Sequence, residues 1–188
     1  MSAGRYDDQE HLVHWKRGVW PKIHAKLFEL VQEQARGRRF CDLSCSTGLL
    51  GARLLQRLRP PAEAVLGVEC DADAVARARA AGVPVEFLEM AVNPQTLRAF
   101  GEALRSRRIT VLVGRRCIPE ICGEDVSFGR VLADQLLDAG VTEVFLEGRQ
   151  QRATATHPLA TLQAEIKALG PAWRTVTLRN DLAYLVPA

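Results

Sequence analysis

Two acids and a short polar turn carry the first chemistry visible in this 188-residue sequence. The stretch 42-DLSCSTG-48 follows the apolar residues Phe40 and Cys41 and precedes 49-LLGARLL-55, so it reads as strand end, tight turn and helix start. A second acid, Glu69, closes another apolar run, 64-AVLGVE-69. At the carboxyl edge of an open α/β sheet, a turn of small residues lets a ligand come close to backbone. An acid at the next strand end can accept hydrogen bonds from ligand hydroxyls. Ser44 and Ser46 stand where a nucleotide loop would show glycines, and only Gly48 remains. The corner is therefore open to three readings: a cofactor loop, a decayed loop, or a plain strand–turn–helix.

Other reactive residues cluster in 113-VGRRCIPEI-121, where Arg115 and Arg116 suit a carboxylate, a phosphate or a nucleic-acid backbone. Cys117 reads as a nucleophile or a wall, and Glu120 as a base or an amine-orienting group, beside a plain packed or solvated role for each. The five cysteines, Cys41, Cys45, Cys70, Cys117 and Cys122, are odd in number and lack zinc-site spacing, so free thiols are expected and no metal. A cysteine phosphatase loop would need an arginine six residues after Cys45, and Gly51 stands there.

These residues need elements to position them. Val19, Ile23, Leu27, Leu30 and Val31 share a helical stripe over Trp15–Ala35, with Pro21 a point of kink or restart. Strands are expected near Arg39–Leu43, Ala64–Cys70, Val85–Met90, Ile109–Gly114, Val141–Gly148, Trp173–Arg179 and Asp181–Val186. Between them lie helices near Gly48–Arg57, from Asp71 or Asp73 to Ala81, near Pro94–Arg107, from Val126 to Ala139 and from His157 to Leu169. Residues 115–125 read as a loop. Apolar strands alternating with amphipathic helices imply a parallel sheet covered on both faces, and the turn at Asn180–Asp181 adds an antiparallel closing pair.

Composition is that of one ordinary globular domain: 47% hydrophobic, 25% charged, net charge +3. The opening residues lack a secretory apolar core and no run approaches a membrane span, so a cytoplasmic location with no membrane partner is expected. Oligomeric state leaves no trace in the sequence.

Together these features resemble the class I S-adenosylmethionine (SAM)-dependent methyltransferases. The first motif of that family, D-x-G-x-G-x-G, is matched by 42-DLSCSTG-48 at Asp42 and Gly48, with serines at the two earlier glycines. The second, an acid ending strand two, is matched by Glu69 in LGVECDADAVARARA. The resemblance runs from about Arg38 to the end of the chain. It implies a doubly wound, mostly parallel seven-stranded sheet of order 3-2-1-4-5-7-6 with the last strand antiparallel. Residues 1–37 would form an arm and helix covering the cofactor site, and 38–188 the methyltransferase-like domain. A dehydrogenase has a similar spacing between loop and acid, but G-x-G-x-x-G is absent and the closing hairpin fits the methyltransferase plan better.

The resemblance implies SAM as cofactor, held by Asp42, Ser44, Cys45, Ser46, Gly48, Glu69, Cys70, Met90 and Gly114, with Glu69 on the ribose hydroxyls. Serine is small enough for close approach provided its φ need not be positive. Ala91 stands where the family often carries an acid near the adenine, leaving Glu89 and Met90 to line that pocket. The base-methylating signature D-P-P-Y or N-P-P-Y is absent after the fourth strand. A small-molecule acceptor is accordingly favoured over nucleic acid. Three functions remain open: a methyltransferase, a lapsed methyltransferase-like binding or accessory protein, and a nucleic-acid-directed enzyme using Lys16, Arg17, Lys22 and Lys26 with the crevice arginines. Tyr6, His11, His14, Trp15 and Trp20 read as aromatic anchors of the arm, 149-RQQRATATH-157 as a substrate loop or a connector, and His157 as a cap.

Overall fold

In a computed structural model of the chain, residues 9–149 and 158–188 are described. Tyr6, most of the run 149–157 and His157 fall outside them. Seven strands form one sheet in the order β3-β2-β1-β4-β5-β7-β6. They are β1 (Arg39–Leu43), β2 (Ala64–Glu69), β3 (Glu86–Glu89), β4 (Val111–Arg115), β5 (Glu143–Glu147), β6 (Trp173–Arg179) and β7 (Leu182–Pro187). β1 to β5 are parallel, whereas β7 runs antiparallel to both β5 and β6. The sheet order expected from the resemblance is the one observed.

The two-residue alternation of strand side chains divides the core. Phe40, Val111, Val113 and Phe145 pack on one face with α2 (Ala25–Gln34) and α3 (Leu49–Arg57). Cys41, Leu43, Leu112, Val144 and Leu146 pack on the other with α5 (Leu97–Ser106), α6 (Cys117–Cys122), α7 (Phe128–Asp138) and α8 (Leu162–Leu169). A smaller cluster around Leu12, Leu49, Ala52, Ala78 and Val83 joins α1 (Gln9–Lys16) and α4 (Ala72–Ala81) to α3, and Trp15 and Trp20 pack at its edge.

The expected helix over Trp15–Ala35 is broken. α1 ends at Lys16, where Gly18 turns left-handed at φ 80° and donates its N–H to the Trp15 carbonyl. After Pro21, extended with φ −60° and ψ 129°, a short 3-10 turn, Lys22–His24, leads into α2. The expected loop 115–125 contains α6, which holds Pro119 in its first turn, where the missing N–H costs no helical bond. The helix anticipated from His157 begins at Leu162, where the Thr161 side chain caps the Ala164 N–H. Residues 93–96 form a turn before α5 instead of its first residues, with Asn93 Oδ1 accepting from Gln95 N and Thr96 N.

Asp71 is the cap of α4, accepting from Asp73 N and Ala74 N, and Gly82 ends that helix. At the amino edge of the sheet, Glu143 accepts from the Arg36 and Gly37 N–H groups and the Tyr184 hydroxyl, tying the segment before β1 to β5 and β7. The basic pairs 38–39 and 107–108 lie at this same edge, where Arg39 meets Glu63 and Arg107 meets Glu86. No described helix is long and apolar enough to cross a membrane.

Candidate active site

At the carboxyl edge, β1 pairs with β2 on one side and β4 on the other, so the 42–48 turn opens where strand order reverses. Both loop serines adopt the left-handed conformation, Ser44 at φ 57° and Ser46 at φ 50°. The sequence condition that serine need not take positive φ is therefore not met. Each serine holds a glycine-like conformation at a cost of roughly 1–2 kcal/mol. The loop keeps the glycine geometry without the glycines.

Three contacts hold it there. Ser46 N donates to Glu69 Oε2 at 2.7 Å, Cys45 N donates to the Val68 carbonyl at 3.1 Å, and Gly51 N of α3 donates to Asp42 Oδ2 at 3.0 Å. Asp42 is thus turned toward α3 and is only 3% exposed. Burial pushes its carboxyl up to about 7, against the opposing Gly51 hydrogen bond, and the neighbouring Glu69 charge adds to the rise. Glu69 is the hub of the site. Its Oε1 also accepts from Cys70 N at 2.8 Å and Asp71 N at 3.0 Å.

The remaining sequence candidates separate. Gly48 has φ 70°, but a Cβ there would stand 2.7 Å from the Phe87 ring, so its open side is covered by an aromatic the sequence reading passed over. The Cys45 thiol is buried over Gly67, leaving the backbone of that residue in the loop. Cys70 is exposed beside Glu69, and burial and that carboxylate raise its thiol. Met90 is half-buried against the main core, its N–H bonded to the Glu69 carbonyl, while Glu89 is exposed opposite Glu69 in the β2–β3 register. Gly114, next to last in β4, lies under the Cys117 thiol.

Beyond β4, the charges are largely paired. Arg115 donates to Glu147 at 2.9 Å and both are shielded from solvent; Arg149 meets the exposed Glu120 at 3.1 Å. Even beside Arg115, burial keeps the Glu147 carboxyl raised. Arg116, in the left-handed region at φ 55°, donates its N–H to the Glu147 carbonyl. Cys117 is buried and burial raises its thiol strongly, so it is a wall and not a nucleophile at neutral pH. Glu165 of α8 is 1% exposed, and among the described residues neither of its oxygens accepts a hydrogen bond. Its carboxylate lies against Gly148, just past β5. In the sequence it is one more polar residue of an amphipathic helix, and only the packing of α8 on the β5 exit brings it to the site. Among the described residues no cluster of His, Cys, Asp and Glu could hold a metal.

The donor set suits a cationic, hydroxyl-bearing ligand such as SAM. Asp42 and Glu69 are the two acids at the loop, and neither forms an ion pair among the described residues. A carboxylate offers roughly four acceptor positions. Backbone N–H groups fill three on Glu69, leaving one for a ribose hydroxyl while the loop stays as it is.

No protein-family model matches the chain, and no curated protein does. Solved structures do. The chain is similar to WbdD, co-crystallised with the kinase inhibitor LY294002, with TM-score 0.61 and 15% identity over 96% of this chain and 41% of that one. It spans about two fifths of the length of WbdD, whose solved structures include one described as a bifunctional kinase-methyltransferase. It is similar to the SAH-bound methyltransferase PaMTH1 of Podospora anserina, with TM-score 0.55 and 11% identity over 100% of this chain and 90% of that one. A putative SAM-dependent methyltransferase from Streptococcus mutans matches with TM-score 0.56 and 12% identity over 89% and 49%. At such identities the likeness speaks for architecture. With the sheet order, the strand-reversal crevice and the acid ending β2, it establishes that this chain has the class I SAM-dependent methyltransferase fold.

Proposed function

We propose that the protein transfers a methyl group from SAM to a small-molecule acceptor. The observation that carries this reading is Glu69, which ends β2 at the strand reversal, closes onto the 42–48 turn and keeps an acceptor position open. A phosphate-bearing dinucleotide would meet the Glu69 carboxylate there and no glycine-rich anion cradle. SAM is positively charged at sulfur, carries no phosphate and presents ribose hydroxyls. When bound, it supplies a methyl carbon to the acceptor's lone pair, the C–S bond electrons staying on sulfur while the acceptor's proton is lost. The chain's part is alignment and exclusion of water. In this reading Glu69 takes a ribose hydroxyl, the Ser44–Gly48 backbone faces the amino-acid end, and Met90 lines the adenine side. The described part of the 1–37 arm would help to cover the site, since Leu12 shares an apolar cluster with Leu49, directly after Gly48.

A small acceptor is supported by the charge at the strand exits. Arg115 and Arg149 are committed to Glu147 and Glu120, and Lys26 pairs with Asp181, which leaves little of the basic stripe that tracks a nucleic-acid backbone. A second reading, a lapsed methyltransferase-like binding protein, is favoured by one observation: Glu69 already accepts three backbone hydrogen bonds. Calorimetric titration with SAM and its product S-adenosylhomocysteine (SAH) separates the two. Saturable binding of both supports the first reading, and absence of binding by either removes it.

A further inference from the structure

Two buried carboxylates approach the carboxyl edge of the sheet from opposite faces. Asp42, in β1, faces α3, and Glu165 reaches Gly148 from α8 on the other face. Between the strand ends lies Cys117, whose thiol feels the charge of both. They are 3% and 1% exposed, and neither forms an ion pair among the described residues. Asp42 accepts from Gly51 N, while neither Glu165 oxygen reaches a hydrogen-bond partner among the described residues. A buried acid without a charge partner is driven toward its neutral form, and a positive charge placed near it restores the anion.

Resting on the methyltransferase reading, we propose that Asp42 and Glu165 read the charge on the cofactor sulfur, favouring the sulfonium of SAM over the neutral thioether of SAH. The groups facing them make this workable. Asp42 faces Glu69 of β2 and the Cys41, Cys45 and Cys117 thiols, so its surroundings hold its proton on. Glu165 faces Cys117 and Cys122 of α6, with Arg149 past β5 and Arg116 past β4 favouring its ionised form at a distance. The Arg149 backbone also favours the ionised form, and its guanidinium is bound to Glu120. Burial carries both acids up to about 7, so at neutral pH each stands near its midpoint. A positive charge arriving in the crevice draws them to the anion. A neutral sulfur leaves them near that midpoint, so turnover of the bound cofactor would itself weaken its hold.

Calorimetry with SAM and with SAH, in two buffers of different ionisation enthalpy, tests this without any methyl acceptor. The two ligands share the same amino-acid end, whose own titration cancels in the comparison. The association constant for SAM, relative to SAH, should rise roughly tenfold between about pH 6 and about pH 8, with proton release on SAM binding alone. Glu165→Gln and Asp42→Asn should each shrink that difference; the introduced amide is isosteric and can still accept from Gly51 N at position 42, and thermal melts confirm folding. Equal pH dependence for SAM and SAH overturns the proposal, as does full retention of the difference in either variant. Absence of binding by both ligands at every pH instead removes the methyltransferase reading, and this inference with it.

Discussion

The Ser46 N–H and the Glu69 carboxylate are 2.7 Å apart, a hydrogen bond that closes the turn after β1 onto the end of β2. One side chain thereby shapes the loop and offers the ligand its acceptor. Glu69→Ala should abolish SAM and SAH binding and also loosen the turn, because the Ser46, Cys70 and Asp71 N–H groups lose their partner together. The expected loss of stability is about 1–3 kcal/mol, read from denaturant unfolding. Calorimetry that finds unchanged affinity in a folded Glu69→Ala protein would refute the ribose assignment.

Ser44 is exposed and sits at φ 57°, so its side chain contributes strain and no packing. Ser44→Gly removes the left-handed cost while adding unfolded-chain entropy, and should be neutral to stabilising by up to about 1 kcal/mol. Ser44→Val puts a β-branched residue in the same conformation and should destabilise by at least about 1 kcal/mol. Melting temperatures that order the three proteins differently would show that the loop does not hold this geometry in solution.

Gly48 and Phe87 should be coupled. A methyl at position 48 meets the ring at 2.7 Å as well as the positive φ, so Gly48→Ala should cost roughly 2 kcal/mol or more. Phe87→Leu should recover the steric part of that cost and leave the conformational part. A double-mutant cycle in unfolding free energy measures the split, and additivity of the two changes would mean the ring does not lie on Gly48.

Stability should depend on pH through the two buried acids. Asp42 and Glu165 are raised from 3.8 and 4.5 in the free chain to about 7 in the fold. Between those limits the native state holds protons that the unfolded chain has released. Stability therefore falls as pH rises from about 4 to about 7, by a few kcal/mol in all. Asp42→Asn and Glu165→Gln should each flatten that slope. Unfolding curves of the ligand-free protein across this range provide the measurement, and a wild-type stability that climbs instead would show the acids to be charged in the fold.

Arg115 and Glu147 form the most shielded ion pair among the described residues, at 2.9 Å across β4 and β5. Arg115→Met should cost about 3–5 kcal/mol by leaving Glu147 buried and uncompensated. Arg115→Met with Glu147→Leu should recover most of it, because an apolar pair tolerates the same burial. Equal stability of the single and double variants would place the cost elsewhere.

Local chemistry determined much of this protein in advance. The alternation of apolar strands with amphipathic helices, the Asp71 cap, the Gly82 stop and the closing hairpin are short-range features, and each survives in the fold at or near its expected place. Asp42 and Glu69 were legible as a pair because strand ends in a parallel sheet share one edge. Other features depended on contacts between distant parts of the chain. The serines' positive φ follows from anchors on β2 and α3, and no property of serine announces it. For Arg115 and Glu120 the sequence leaves a reactive role open beside a packed or solvated one, and their partners Glu147 and Arg149 lie far along the chain. Glu165 looks like any polar residue of an amphipathic helix. Only the packing of α8 against Gly148 removes it from water, and desolvation, which belongs to the assembled fold, turns an ordinary acid into one poised near neutrality.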